Sequence, residues 1–264
     1  MVRRFGTKRA LRIALTLLIG WVWGSTAVYL SQPERGPRDP RWKHIQTVGI
    51  LRVGIDPSIA PFGVWVGDGQ IDGLDAQLGR MLAEEMGLAV EITPLTYDGY
   101  YDALTYDRVD VVIAALRPVW FRSYIARYSI PYFDAGHVLV SRDGFETFEM
   151  LAGKTLAVEL ASEGDLMARK FDEITPQRHL TPLEALASMA DGEADAALVD
   201  NVTATMYLAE HAGLVKSAPV VSDPYVIAMR RNEWRLYYAI QEALYRLRDD
   251  GKLKTLIENW LVTP

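Results

Sequence analysis

The chain contains no cysteine. That excludes disulfides, thiolate metal sites, a cysteine nucleophile and a lipidated N-terminal cysteine. Histidine is scarce, and His44, His137, His179 and His211 lack the spacing of a zinc site. There is no phosphate-cradling loop ending in Gly-Lys-Ser/Thr and no GxSxG elbow. Nothing points to a Ser-His-Asp triad. Gly67, Gly69 and Gly73 form a GxGxxxG run before a helix, but the leading strand ends near Ile55, far upstream. A hairpin turn is the better reading of these glycines than a dinucleotide loop. No cofactor is expected.

Acidic residues are absent from the first 30 positions, where Arg3, Arg4, Lys8, Arg9 and Arg12 precede an uncharged run from Ile13 to Leu30. Eighteen helical residues span about 27 Å, close to the ~30 Å hydrocarbon core of a bilayer. Trp21, Trp23 and Tyr29 lie toward its outer half, where aromatics favour the interface. The basic flank stays in the cytoplasm and directs the rest outward. Ser25 and Ala27 offer a cleavage site, so residues 1–30 read as a signal anchor or a signal peptide; the length of the run favours a tether formed by residues 13–30. The chain carries 28 basic and 34 acidic residues, and with five of the basic ones in this segment the remainder has a net charge of −11. No basic patch is left to hold nucleic acid. Localisation is expected to be periplasmic or on the outer face of the cytoplasmic membrane.

Half of the residues are apolar and 23% are charged, a globular balance. Residues 31–46 open with the Pro-, Arg- and Gly-rich SQPERGPRDPR, an extended linker. Strands and helices then alternate. Strands are predicted at Leu51–Ile55, Val90–Thr93, Val109–Ala115, His137–Ser141, Thr155–Glu159, Ala194–Val199 and Val226–Met229. Val64–Val66 and Ile71 flank a hairpin. Asp75, Asp98, Ser162, Thr181 and Asn232 are placed as helix caps, the Thr181-Pro182-Leu183-Glu184 box being the strongest. This rhythm predicts an α/β protein with a mainly parallel sheet, and a restart near Phe145 to Lys154 divides it into two lobes.

Ligands of such sheets bind at strand carboxyl ends. Arg122 follows the apolar run Val109–Ala115, and its fork of donors suits a carboxylate. Asp56, Ser162 and Asp200 also fall at strand ends or helix N-termini. One arginine and one acid suit a zwitterion, and the helix N-terminus at Ser162 adds N–H donors. Helix capping would place Ser162 and Asp200 in the same positions. Phe62 and Tyr97 could supply apolar walls, or could simply be core.

In order, Leu51-Arg52-Val53-Gly54-Ile55-Asp56, Ala60-Pro61-Phe62, Gly73-Leu74-Asp75, Tyr97-Asp98-Gly99, Arg122 with Ser129, Pro131 and Tyr132, Gly192 through Asp195 to Asp200, Pro224-Tyr225-Val226-Ile227-Ala228, and Leu247 through Gly251 to Trp260 form a set. The chain resembles the bacterial extracellular solute-binding proteins of family 3, the polar amino-acid receptors of ABC importers, over about Val48 to Leu261. The resemblance implies a two-lobed periplasmic-binding-protein-like fold, a type II clamp. Lobe one would comprise 47–134 plus 223–264, and lobe two 135–222. It implies Arg122 on the ligand α-carboxylate, Asp200 on the α-ammonium and Tyr97 on the ligand side chain, with Ala115 in the ligand-binding stretch. It also implies a monomer that hands an amino acid to an ABC permease and does no covalent chemistry.

Three departures stand out. Arg117 replaces a small hydroxyl residue five before the arginine. Ala161-Ser162-Glu163 stands in place of a Gly-Thr pair with a further Thr, and Ile59 replaces an aromatic. Arg117 and Glu163 are expected to pair across the cleft, or Arg117 to meet a second acidic group. Two rivals share the fold: a cyclohexadienyl dehydratase using Glu163 or Asp56 as acid, and a ligand-sensing ectodomain.

Overall fold

A computed structural model describes residues 40–262. The apolar run Ile13–Leu30 and most of the linker lie outside the described residues. Among the described residues no helix is long and apolar enough to cross a membrane.

Helix α1 (Pro40–Val48) leads into β1 (Ile50–Ile55), then the hairpin of β2 (Val64–Val66) and β3 (Gln70–Asp72). Next come α2 (Leu74–Glu85), β4 (Ala89–Pro94), α3 (Tyr100–Thr105), β5 (Val111–Val112) and β6 (Ala126–Tyr128). The chain crosses through β7 (Phe133–Asp134) into β8 (His137–Ser141), β9 (Thr155–Glu159), α4 (Glu163–Ala168), β10 (Thr175–His179) and α5 (Pro182–Ala190). It continues with β11 (Ala196–Asp200), α6 (Asn201–Glu210) and β12 (Val215–Lys216). It crosses back through β13 (Pro224–Tyr225) to β14 (Ala228–Arg230), α7 (Trp234–Asp249) and α8 (Lys252–Leu261).

Two five-stranded sheets result, in the orders β4-β1-β5-β14-β6 and β10-β9-β11-β8-β12. In each, four strands run in one direction and one runs against them, β14 in the first sheet and β8 in the second. The mainly parallel arrangement is found in two separate sheets, each with one antiparallel strand next to its edge strand. The predicted strand Val226–Met229 is instead β14, Ala228–Arg230, preceded by the separate short β13. Tyr225 pairs with Phe133 in a crossing ribbon, whereas Ala228 pairs with Val112 in the first sheet.

Alternation along β1 sends Leu51, Val53 and Ile55 into a core with Leu78 and Leu82 of α2 and Ile240 and Leu244 of α7. The opposite face packs Val112 and Ala114 against Tyr100 and Leu104. The second sheet is also covered on both faces, Val138 and Val199 against Leu186 and Met189, and Leu139 and Val158 against Phe148 and Leu151. Arg41 and Arg52 converge on buried Asp110, which ties α1 to the first sheet.

Several expected caps belong elsewhere. Thr181 and Glu184 form the full capping box, and Ser162 caps α4 by accepting the Asp165 N–H. By contrast α2 starts at Leu74 after Gly73, whose φ of +125° and 2.3 Å Cβ approach to the Phe62 carbonyl require glycine. Asp75 is thus free for a tertiary role. Asp98 and Asn232 make no side-chain cap, because α3 and α7 begin after Gly99 and Glu233.

Candidate functional site

The crossing ribbon sits between the sheets. Asp134 Oδ1 accepts N–H bonds from Gly136 (2.9 Å) and Asp223 (2.8 Å), and Asn201 Nδ2 donates to the Asp134 carbonyl at 2.6 Å. A Cβ on Gly136 would lie 1.8 Å from the Val221 carbonyl, so only glycine permits this crossing. Beneath the ribbon Phe62, Phe133 and Tyr225 pack edge to face or tilted, with centroids 5.2–5.9 Å apart. Phe62 is 3% exposed. The expectation that Phe62 walls a ligand is corrected: its apolar ring supports Tyr225 from within the core.

On the first sheet, Asp56 follows β1 and is buried. Its Oδ1 accepts from the Ser58 N–H and hydroxyl, and its Oδ2 from Tyr100 OH at 2.7 Å. Burial pushes its pKa up, but these donors outweigh burial and hold the carboxyl below its ordinary value. Asp56 also lines a cavity of about 410 Å³ with Ser58, Thr96, Gly99 and Arg108. Tyr97 is exposed at 75%, its ring edge-on to Tyr100.

Ala115 adopts φ +45°, a left-handed conformation unusual for a non-glycine residue. Its N–H donates to Asp75 Oδ2 at 2.7 Å, and Tyr132 OH donates to Asp75 Oδ1 at 2.7 Å. The Ala115 N–H therefore has a protein acceptor, the Asp75 carboxylate. Burial lifts the Asp75 carboxyl to a pKa of about 7 despite these two donors.

Arg122 ends a single turn, Trp120–Arg122, with its guanidinium 5.0 Å from the Tyr101 ring centroid. Among the described residues it has no carboxylate partner. Tyr101 OH is in turn hydrogen-bonded to Tyr128 OH at 2.9 Å. Arg117 differs: its Nε donates to both Asp223 carboxylate oxygens at 2.5 and 2.6 Å, and it lies over Tyr225 with 5.4 Å to the ring centroid. The expected Arg117–Glu163 ion pair is corrected. The Asp223 fork is a bidentate match and fixes Arg117 beside the crossing ribbon, while Glu163 acts on it only as a more distant charge.

On the second sheet, Asp200 ends β11 and caps α6, its Oδ1 accepting the Thr203 N–H at 2.9 Å. Ser162 Oγ accepts from Asp165 N and donates to the Glu159 carbonyl at 2.8 Å. Glu163 is exposed at the first position of α4. Buried Asp165, gripped by Arg169 and by Arg178 at 2.8 Å, has its pKa lowered to about 2, principally by the Arg169 hydrogen bond.

Arg117 lies over the Tyr225 ring, and the negative charge of Asp200 on the other sheet helps to raise the Tyr225 pKa. Asp75, Tyr100, Asp223 and Tyr225 take part in this constellation yet were not singled out as site residues from the sequence. Their contacts span 40 to 106 residues, and no local pattern encodes them. The Asp223-Pro224-Tyr225 run was the one available signal. No group of acids and histidines among the described residues could hold a metal. The arrangement offers one cation without an acidic partner, an acid with a spare oxygen and aromatic surfaces, which suits binding a small dipolar molecule.

The family model described as bacterial extracellular solute-binding proteins, family 3, matches residues 51–263. The chain is 25% identical over 222 residues to the arginine-binding extracellular protein ArtP of Bacillus subtilis, covering 80% of this chain and 85% of that protein. The solved structure of an ancestral cationic amino acid solute-binding protein is 28% identical, with a TM-score of 0.59 over 83% of this chain and 98% of the other. An ancestral cyclohexadienyl dehydratase shares the fold at 24% identity, with a TM-score of 0.75 over 84% and 96% of the two chains. With a family match extending over most of its length, the chain belongs to the bacterial extracellular solute-binding proteins of family 3.

Proposed function

We propose that the protein is an exported receptor that captures a small zwitterion, an amino acid, and delivers it to an ABC permease. The observation that carries this reading is Arg122. Its guanidinium stands in the turn before β6, on a tyrosine face, with no carboxylate among the described residues to neutralise it. A ligand carboxylate supplies that charge, and Asp200 takes the ammonium with its uncapped oxygen. Tyr97 covers the ligand side chain, and Ser162 with Glu163 lines the opposite rim. The Arg117–Asp223 pair borders the site.

The lobes are assigned as 47–134 plus 223–264 and 135–222, hinged at β7 and β13. A ligand touching both lobes favours the closed state by its differential affinity. The receptor works as a monomer without cofactor or covalent chemistry, tethered by residues 13–30 with the rest outside the cytoplasm.

The test is isothermal titration of the chain against a panel of cationic, neutral and acidic amino acids, with prephenate mixed separately and its absorbance followed. A saturable one-to-one isotherm for an amino acid, with prephenate unchanged, is expected. Loss of prephenate absorbance with no amino acid bound would replace the receptor by a dehydratase.

A further inference from the structure

A second cavity, of about 550 Å³, borders the cluster around Tyr225 through Tyr132 and Phe133. Its walls come from both halves of the fold: Leu208 and Ala209 of α6, Leu253 and Ile257 of α8, and Phe133 of the crossing ribbon. Helix α6 follows the second sheet, whereas α8 packs on α2 of the first, and α6 and α8 touch. The volume is that of a small-molecule site, and the lining is mostly apolar.

The charges at this cavity are unbalanced. Arg248 reaches Asp249 at 3.6 Å, and Lys254 reaches Glu258 at 3.7 Å, so each has a local acid. Lys216 has none among the described residues. Its Nζ donates to two neutral acceptors, Asn201 Oδ1 at 2.6 Å and Thr205 Oγ1. Lys216 is an exposed residue, but desolvation at its ammonium lowers the pKa below the ordinary value.

We propose that this cavity is a second ligand site, for an amphiphile with one carboxylate and an aliphatic tail. The single uncompensated cation calls for a single negative charge. The carboxylate meets Lys216 at the mouth, and the tail lies between α6 and α8 against Leu208, Leu253 and Ile257. None of the residues assigned to the zwitterion contributes to this cavity, so the proposal stands apart from the receptor reading.

Octanoate, 1-octanol and octylamine are the probes, titrated calorimetrically into the full chain. Octanoate is expected to bind at least about tenfold more tightly than octanol, the usual worth of a charge-assisted hydrogen bond, and octylamine more weakly still. Lys216→Met should erase the preference for octanoate over octanol, and Leu208→Trp, which fills the cavity, should remove binding of both. Arg122→Ala should leave octanoate affinity within about twofold. Octanoate binding that survives both Lys216→Met and Leu208→Trp, or disappears in Arg122→Ala, overturns the proposal, because the probe then sits elsewhere. Failure of all three probes to bind the wild-type chain overturns it as well.

Discussion

The two sides of the constellation are held by different means. On the first-sheet side, Asp56 is fixed by Tyr100 44 residues away, Ala115 by Asp75 40 away and Arg117 by Asp223 106 away. On the second-sheet side, Ser162 and Asp200 are each fixed by an N–H three residues ahead, as caps of α4 and α6. A cap is complete once its helix forms, and the Asp200 cap uses only one carboxylate oxygen. A long-range partner exists only after the whole fold closes. The first side should therefore depend on global stability and pH, and the second on single local bonds.

The sharpest way to break this contrast is Asp75. Its folded pKa, about 7, lies above the ordinary 3.8 because the site is buried. The folded state holds the proton more tightly, so this contribution to stability is complete below about pH 4 and is lost as pH rises through 7. Three units correspond to about 4 kcal/mol. In urea titrations, Asp75→Asn should gain stability relative to wild type between pH 4 and pH 8 by up to that amount. A pH-independent difference would sink the idea of a buried, protonated tie.

Arg122→Ala should lower affinity for the bound amino acid by about 100-fold, as expected when a charge-assisted partner of a ligand carboxylate is removed. Because Arg122 has no acid to abandon within the described chain, its thermal midpoint should barely move. A large loss of stability with unchanged affinity would recast Arg122 as structural.

The smallest effect separates the two duties of Asp200. Asp200→Asn keeps a capping oxygen, so urea stability should hold while amino-acid affinity falls. Ser162→Ala should cost about 1 kcal/mol of stability. If Asp200→Asn bound amino acids as wild type does, Asp200 would be a cap and nothing more.

The elements that were legible are those written in adjacent residues. The Thr181–Glu184 box and the hairpin around Gly67–Gly69 both appear where local pattern places them. Asp75 shows the limit. Its position after Gly73 looks like a cap, but the close approach of Phe62 moves the helix start and turns the carboxylate inward. Arg117 shows it again: an isolated arginine in a turn gives no sign of which acid will meet it.

By itself the sequence determined the alternation of strands and helices, the acidic excess of residues 31–264, and the placement of Asp200 at the end of β11. Those follow from periodicity and charge along the chain. Only the tertiary structure decided that Asp223 neutralises Arg117, that Phe62 is core, and that Lys216 lines a mostly apolar cavity with no acid paired to it among the described residues. Ion pairs and burial depend on distances through space, and chain order does not set those until the two sheets are brought together.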